Sequence, residues 1–147
     1  MFQSILLIDD SEIELQHAAA MLDHIGLSEQ IVQRNSVLSA VDYLQELVIN
    51  RQSFPEIIII DSKMPLLDGE DFLDIYDLFD QNYRKNIHLI ILCGNADSHR
   101  IDSFKNNKYV VSVLEKPINY SQLEVALEII QKKRLQLIGQ WIDDNGS

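Results

Sequence analysis

Short apolar runs alternate with stretches of helical periodicity along the whole chain. Ile5-Leu6-Leu7-Ile8 is followed by Leu15, Ala18, Ala19 and Leu22 at i, i+3, i+4, i+7 spacing, and then by Gly26. The compact run fits a strand buried on both faces, and the spaced set fits a helix over residues 12–25 that the glycine closes. Ile31-Val32-Gln33 is a weaker strand, after which Asn35 or Ser36 caps a helix with the stripe Val37, Ala40, Val41, Leu44 and Val48. Four β-branched residues, Ile57 to Ile60, form the central strand, and His88–Cys93 and Val110–Leu114 form the fourth and fifth. Phe72, Ile75, Tyr76 and Phe79 stripe a helix between them, a short and poorly patterned helix lies around Ile101 and Phe104, and Asn119 or Ser121 caps a last helix carrying Leu123, Ala126, Leu127 and Ile130. Five such units predict an α/β fold, a doubly wound five-stranded parallel sheet with helices on both faces.

The last helix runs on. Leu137, Ile138 and Trp141 keep the apolar spacing past the basic cluster Lys132-Lys133-Arg134, which reads as a solvated helix end. A helix from Ser121 to Ile142 would reach roughly 33 Å, longer than a usual strand of about 20 Å can cover. The chain therefore divides into a domain over residues 1–133 and an extension with a frayed tail over 134–147. The extension either folds back as core or forms a surface for a partner or a homodimer.

Composition narrows the roles. A chain of 147 residues with a net charge of -11 suits one domain and repels phosphate backbones and anionic lipid, which argues against nucleic-acid and membrane roles. Cys93 is the only cysteine, so no intramolecular disulfide forms, and its expected role is that of a small apolar residue. With no leader and no long apolar span, a cytoplasmic protein is expected. The four histidines show no ligand spacing and are expected at surface or partly buried positions.

Chemistry gathers at the strand ends. The first strand ends in Asp9-Asp10, the third in Asp61, and the fifth leads to Lys116-Pro117, and in open α/β sheets ligands bind beyond the carboxyl ends of the strands. Three carboxylates at one edge repel one another unless a cation joins them, and Mg2+ suits such an oxygen set. An aspartate can also attack phosphorus, with metal and lysine neutralising the transferring oxygens.

These residues resemble the receiver domain of two-component response regulators, a CheY-like variant of the flavodoxin-like layout. The likeness covers about residues 4–132 and rests on Ile8-Asp9-Asp10, Asp61-Ser-Lys-Met-Pro65 with Asp68-Gly69, the strand ending at Cys93, and Lys116-Pro117. It implies that Asp61 accepts phosphate from a sensor histidine kinase or phosphotransfer protein. It further implies that Asp10 binds Mg2+ directly, Asp9 through water or from behind, Lys63 through its backbone carbonyl, and that Lys116 pairs with the phosphoryl group. The implied protein is a stand-alone bacterial receiver that catalyses only its own phosphotransfer and dephosphorylation and modulates a downstream protein target. The target surface in such domains commonly lies, in this numbering, at about residues 98–133. Two positions depart from the family's switch. Cys93 stands where Thr or Ser is usual, and Val113 stands where Phe or Tyr is usual. They motivate an alternative, a receiver-like scaffold that binds partners without a phosphorylation switch. A third reading, an aspartyl phosphohydrolase, would call for Asp-x-Asp after the first strand, where this chain has Asp9-Asp10-Ser11.

Overall fold

The computed structural model describes residues 2–146, with the side chains of residues 96–98 outside that description. Five parallel strands, β1 (Phe2–Ile8), β2 (Ser28–Arg34), β3 (Ile57–Asp61), β4 (His88–Cys93) and β5 (Val110–Glu115), pair in the order β2-β1-β3-β4-β5. Strand alternation splits the core in two. Leu6, Ile8, Ile58, Ile60, Leu89 and Ile91 face one side, where α2 (Val37–Ile49), α3 (Gly69–Tyr76) and α5 (Ile101–Lys105) pack. Ile5, Leu7, Ile57, Ile59, Ile90 and Leu92 face the other, beneath α1 (Glu12–Ile25) and α6 (Tyr120–Asn145).

Local signals fix the helix starts. The side chains of Ser11, Ser36, Asp68 and Asn119 each accept a backbone N–H of the first turn, and Asp68 with Asp71 completes a capping box. Gly26 closes α1 in the left-handed region, at φ 68°.

Several elements differ from their expected form. β2 extends back to Ser28 because it is an edge strand whose polar residues need only one partner, β1. α3 stops at Tyr76, and a four-residue turn, α4 (Gln81–Arg84), follows it. Phe79 lies beyond the helix, yet its ring packs edge-on against Phe54 at 5.3 Å, so hydrophobic spacing outlived the helix that it suggested. A 3-10 turn, Asn95–Arg100, takes up most of the loop before α5. Glu70 of α3 pairs with Arg100 at 3.1 Å, and Asp77, which caps the helix, pairs with Arg84 and Lys108.

Helix α6 continues unbroken through the basic cluster, which is therefore mid-helix and not a helix end. Arg134 lies over the Phe2 ring and pairs with Glu56. Beyond it, Leu137, Ile138 and Trp141 are exposed and do not fold back as core.

His88 is buried, contrary to expectation, and its Nε2 has no hydrogen-bond partner among the described residues. Burial holds the imidazole below its ordinary 6.5, Arg134 and Lys133 push the same way, and Glu56 opposes them. The folded chain thus resists a proton that the unfolded chain accepts. Stability from this group is complete above about pH 6.5 and is lost as pH falls below it toward the folded value. Urea melts at about pH 7.5 and about pH 5.5 should show this loss, and His88→Leu should shrink it. An equal loss in the variant would remove His88 as its source.

Candidate functional site

The acid pocket follows from strand parity. Asp9 continues the Ile5, Leu7 series and Asp61 continues the Ile57, Ile59 series, so both carboxylates emerge on the α1–α6 side of the sheet. The pairing of Ile8 with Ile60 sets them side by side. Lys116 follows two residues after Leu114 on the same side, and its N–H donates to the Cys93 carbonyl at 3.0 Å. The Lys116–Pro117 peptide is cis.

Lys116 Nζ lies 2.6 Å from Asp61 Oδ2, 2.9 Å from Glu14 Oε2 and 3.8 Å from Asp9 Oδ2. The backbone N–H of Lys63 donates to Asp61 Oδ1 at 3.2 Å, and that of Ser11 donates to Asp9 Oδ1 at 2.9 Å. Asp9 and Asp61 are almost fully buried. Gly69 lets α3 start close to this loop, because a Cβ there would sit 3.1 Å from Ser62 Cα.

Electrostatics follow from crowding. Burial pushes the Asp9 carboxyl up to about 7, the Ser11 N–H works against that, and Glu14 and Asp61 reinforce it. Burial also raises Asp61, although Lys116 and the Lys63 N–H pull it back. Glu14 is less buried, so its hydrogen bonds with Lys116 and Asp9 outweigh burial and hold it low. For Lys116, burial opposes the charge but Asp61 and Glu14 override it, so the ammonium stays protonated.

The structure thus brings Asp9, Asp61 and Lys116 together and adds Glu14, which the motifs did not point to. Asp9, Glu14 and Asp61 each offer an oxygen within 4.8 Å of the others. The signal for Glu14 was available in helical geometry, since the third residue after the Ser11 cap returns to the start of α1, above the strand end. Asp10 is exposed and stands outside this group. Lys63 is exposed and contributes its backbone.

Cys93 and Val113 lie on the other side of the sheet, Cys93 buried within the α2–α3–α5 core and Val113 half-buried against it. Tyr109 packs edge-on against Tyr76 at 5.2 Å, and its hydroxyl donates to Asp77 and accepts from Arg84. It is held at the amino-terminal end of β5, away from the pocket. Among the described residues no helix is long and apolar enough to cross a membrane.

No family model matches the chain. An uncharacterized response regulatory protein of Staphylococcus epidermidis is 31% identical over 101 residues, 69% of this chain and 38% of that protein. The transcriptional regulatory protein HptR of Staphylococcus aureus is 30% identical over 93 residues, 63% of this chain and 34% of that protein. The chain thus spans little more than a third of the length of these curated relatives. A two-component response regulator from Cytophaga hutchinsonii superposes with a TM-score of 0.80 at 23% identity, over 89% of this chain and 98% of that structure. With an all-parallel sheet, acids at the ends of β1 and β3 and a lysine beyond β5, the chain belongs to the receiver domains of two-component response regulators.

Proposed function

We propose that the chain takes a phosphoryl group on Asp61 from a phosphohistidine of a sensor kinase or phosphotransfer protein and changes its affinity for a downstream protein. The observation that carries this reading is the buried Asp61 carboxylate, with one oxygen 2.6 Å from the Lys116 ammonium and the other accepting the Lys63 N–H. A carboxylate oxygen attacks phosphorus, the bond from phosphorus to the donor imidazole nitrogen breaks, and that nitrogen keeps the electron pair. Lys116 is placed to stabilise charge on the transferring oxygens. Only an ionised carboxylate attacks, and the lysine opposes the effect of burial on Asp61.

The donor set suits a hard divalent cation. Asp9, Glu14 and Asp61 supply oxygens close enough for one ion, and the carboxylates that burial drives toward protonation would be relieved by positive charge. Asp9 and Asp61 would hold Mg2+, with Asp10 and the Lys63 carbonyl as the further ligands that the family resemblance implies. Bound there, Mg2+ would supply positive charge to the transferring oxygens. The chain would act only on its own phosphorylation and dephosphorylation, and the face of α5, β5 and the start of α6 is the surface proposed for the target.

Incubation with a small acyl phosphate and Mg2+, read by intact mass, should add one phosphoryl group per chain and none when the metal is chelated. No labelling from the acyl phosphate or from a panel of phosphohistidine proteins would defeat this reading.

A further inference from the structure

The second half of α6 presents an apolar face with no cover. Leu135 (67%), Leu137 (52%), Ile138 (56%), Trp141 (65%) and Ile142 (53%) are each more than half exposed. At 3.6 residues per turn these five fall within an arc of roughly 160°. That arc continues the buried face of Leu123, Ala126 and Ile130, displaced by roughly 60°, past the point where the sheet ends beneath it. Such a patch, on the order of 500 Å², has the size that marks an interaction site, and doubling it on self-pairing approaches the low end of specific interfaces.

Charge placement says what covers it. Lys132 and Lys133 stand at the root of the exposed segment, and Asp143 and Asp144 stand at its tip. Lys133 and Asp144 border one edge of the apolar arc, while Lys132 and Asp143 lie beyond the other. In an antiparallel pair of identical helices, each flank meets the same flank of its partner with the ends reversed. Centred on Ile138, that pairing sets Leu135 level with Trp141 and brings Lys133 on one flank, and Lys132 on the other, to within one residue of the level of Asp144 and Asp143 respectively. A parallel pair would set lysine against lysine and aspartate against aspartate. In that pairing Asn145 of one copy falls level with Gln131 of the other, and Ile142 falls level with Arg134, whose guanidinium is turned onto Phe2 and Glu56.

We infer that the chain forms an antiparallel homodimer through residues 131–145 of α6. The dimer is two-fold symmetric and holds the two acid pockets on separate bodies. Its small area suits a reversible dimer rather than a permanent one.

Sedimentation velocity of the 147-residue chain through the micromolar range should show a reversible monomer–dimer equilibrium. Trp141→Glu should weaken it on the order of 30-fold or more, with an unchanged circular dichroism spectrum because the residue is exposed. Lys132→Glu with Lys133→Glu should weaken it roughly tenfold at low salt, and adding Asp143→Lys with Asp144→Lys should restore it. Restoration by the reversed pattern separates the antiparallel pair from a parallel one, in which reversal changes nothing. A monomer at every concentration, as expected if some other occupant covers the face, or a dimer indifferent to Trp141→Glu, would overturn the proposal. A dimer that ignores the charge changes would overturn its orientation.

Discussion

Asp61→Asn is expected to abolish phosphoryl uptake while leaving the fold intact. Asparagine keeps the size of the side chain and an oxygen for the Lys63 N–H, so the loop after β3 retains its hydrogen bond. Lys116 keeps Glu14 at 2.9 Å, so the ammonium is not stranded. The amide cannot supply the anionic oxygen that attacks phosphorus, and intact mass after acyl phosphate treatment should show no added group. Asp9 and Glu14 are the carboxylates nearest to hand, and labelling that persists in Asp61→Asn would move the acceptor to one of them.

The second large effect is expected from Lys116→Met. One ammonium stands within 4 Å of three carboxylates, two of them almost fully buried. Methionine fills much of the space but leaves those charges uncompensated, and removing one partner of a buried ion pair costs about 3–5 kcal/mol. The penalty depends on pH in a definite direction. Without the ammonium, the folded-state values of Asp9 and Asp61, already raised by burial, rise further above their unfolded values. Groups with raised folded values lose stability as pH increases, so the deficit should be largest above about pH 7 and shrink toward about pH 5 as the carboxylates take up protons. Urea denaturation of both proteins across that range, with divalent cations chelated, measures it. A deficit that stays constant with pH would show that packing, not charge, is what the lysine provides.

Much of this architecture could be read from residues because parallel strands buried on both faces leave continuous apolar runs. Ile5–Ile8, Ile57–Ile60 and His88–Cys93 needed no partner to be recognised. β2 was legible only in its apolar centre, since an edge strand tolerates Ser28, Glu29 and Gln30. Convergence of Asp9, Asp61 and Lys116 was legible because their position at strand ends follows from topology. Glu14 was not. Topology says which loops meet, but the turn of helix that hangs above a strand end decides which further carboxylate enters the pocket. His88 was missed because position, not chemistry, buries it, as the first residue of an interior strand beneath α6. The pairing of Glu70 and Asp77 was equally invisible, since their partners Arg100, Arg84 and Lys108 come from distant segments.

The length of α6 gives small motions a long arm. From Arg134, which still rests on Phe2 and Glu56, to Asn145 is about 16 Å of helix whose side chains are exposed. A tilt of roughly 10° about that point would therefore sweep the tip sideways through about 3 Å. A rearrangement too small to disturb the packing at the root is thereby magnified at Trp141 and Asp144 into a sideways displacement.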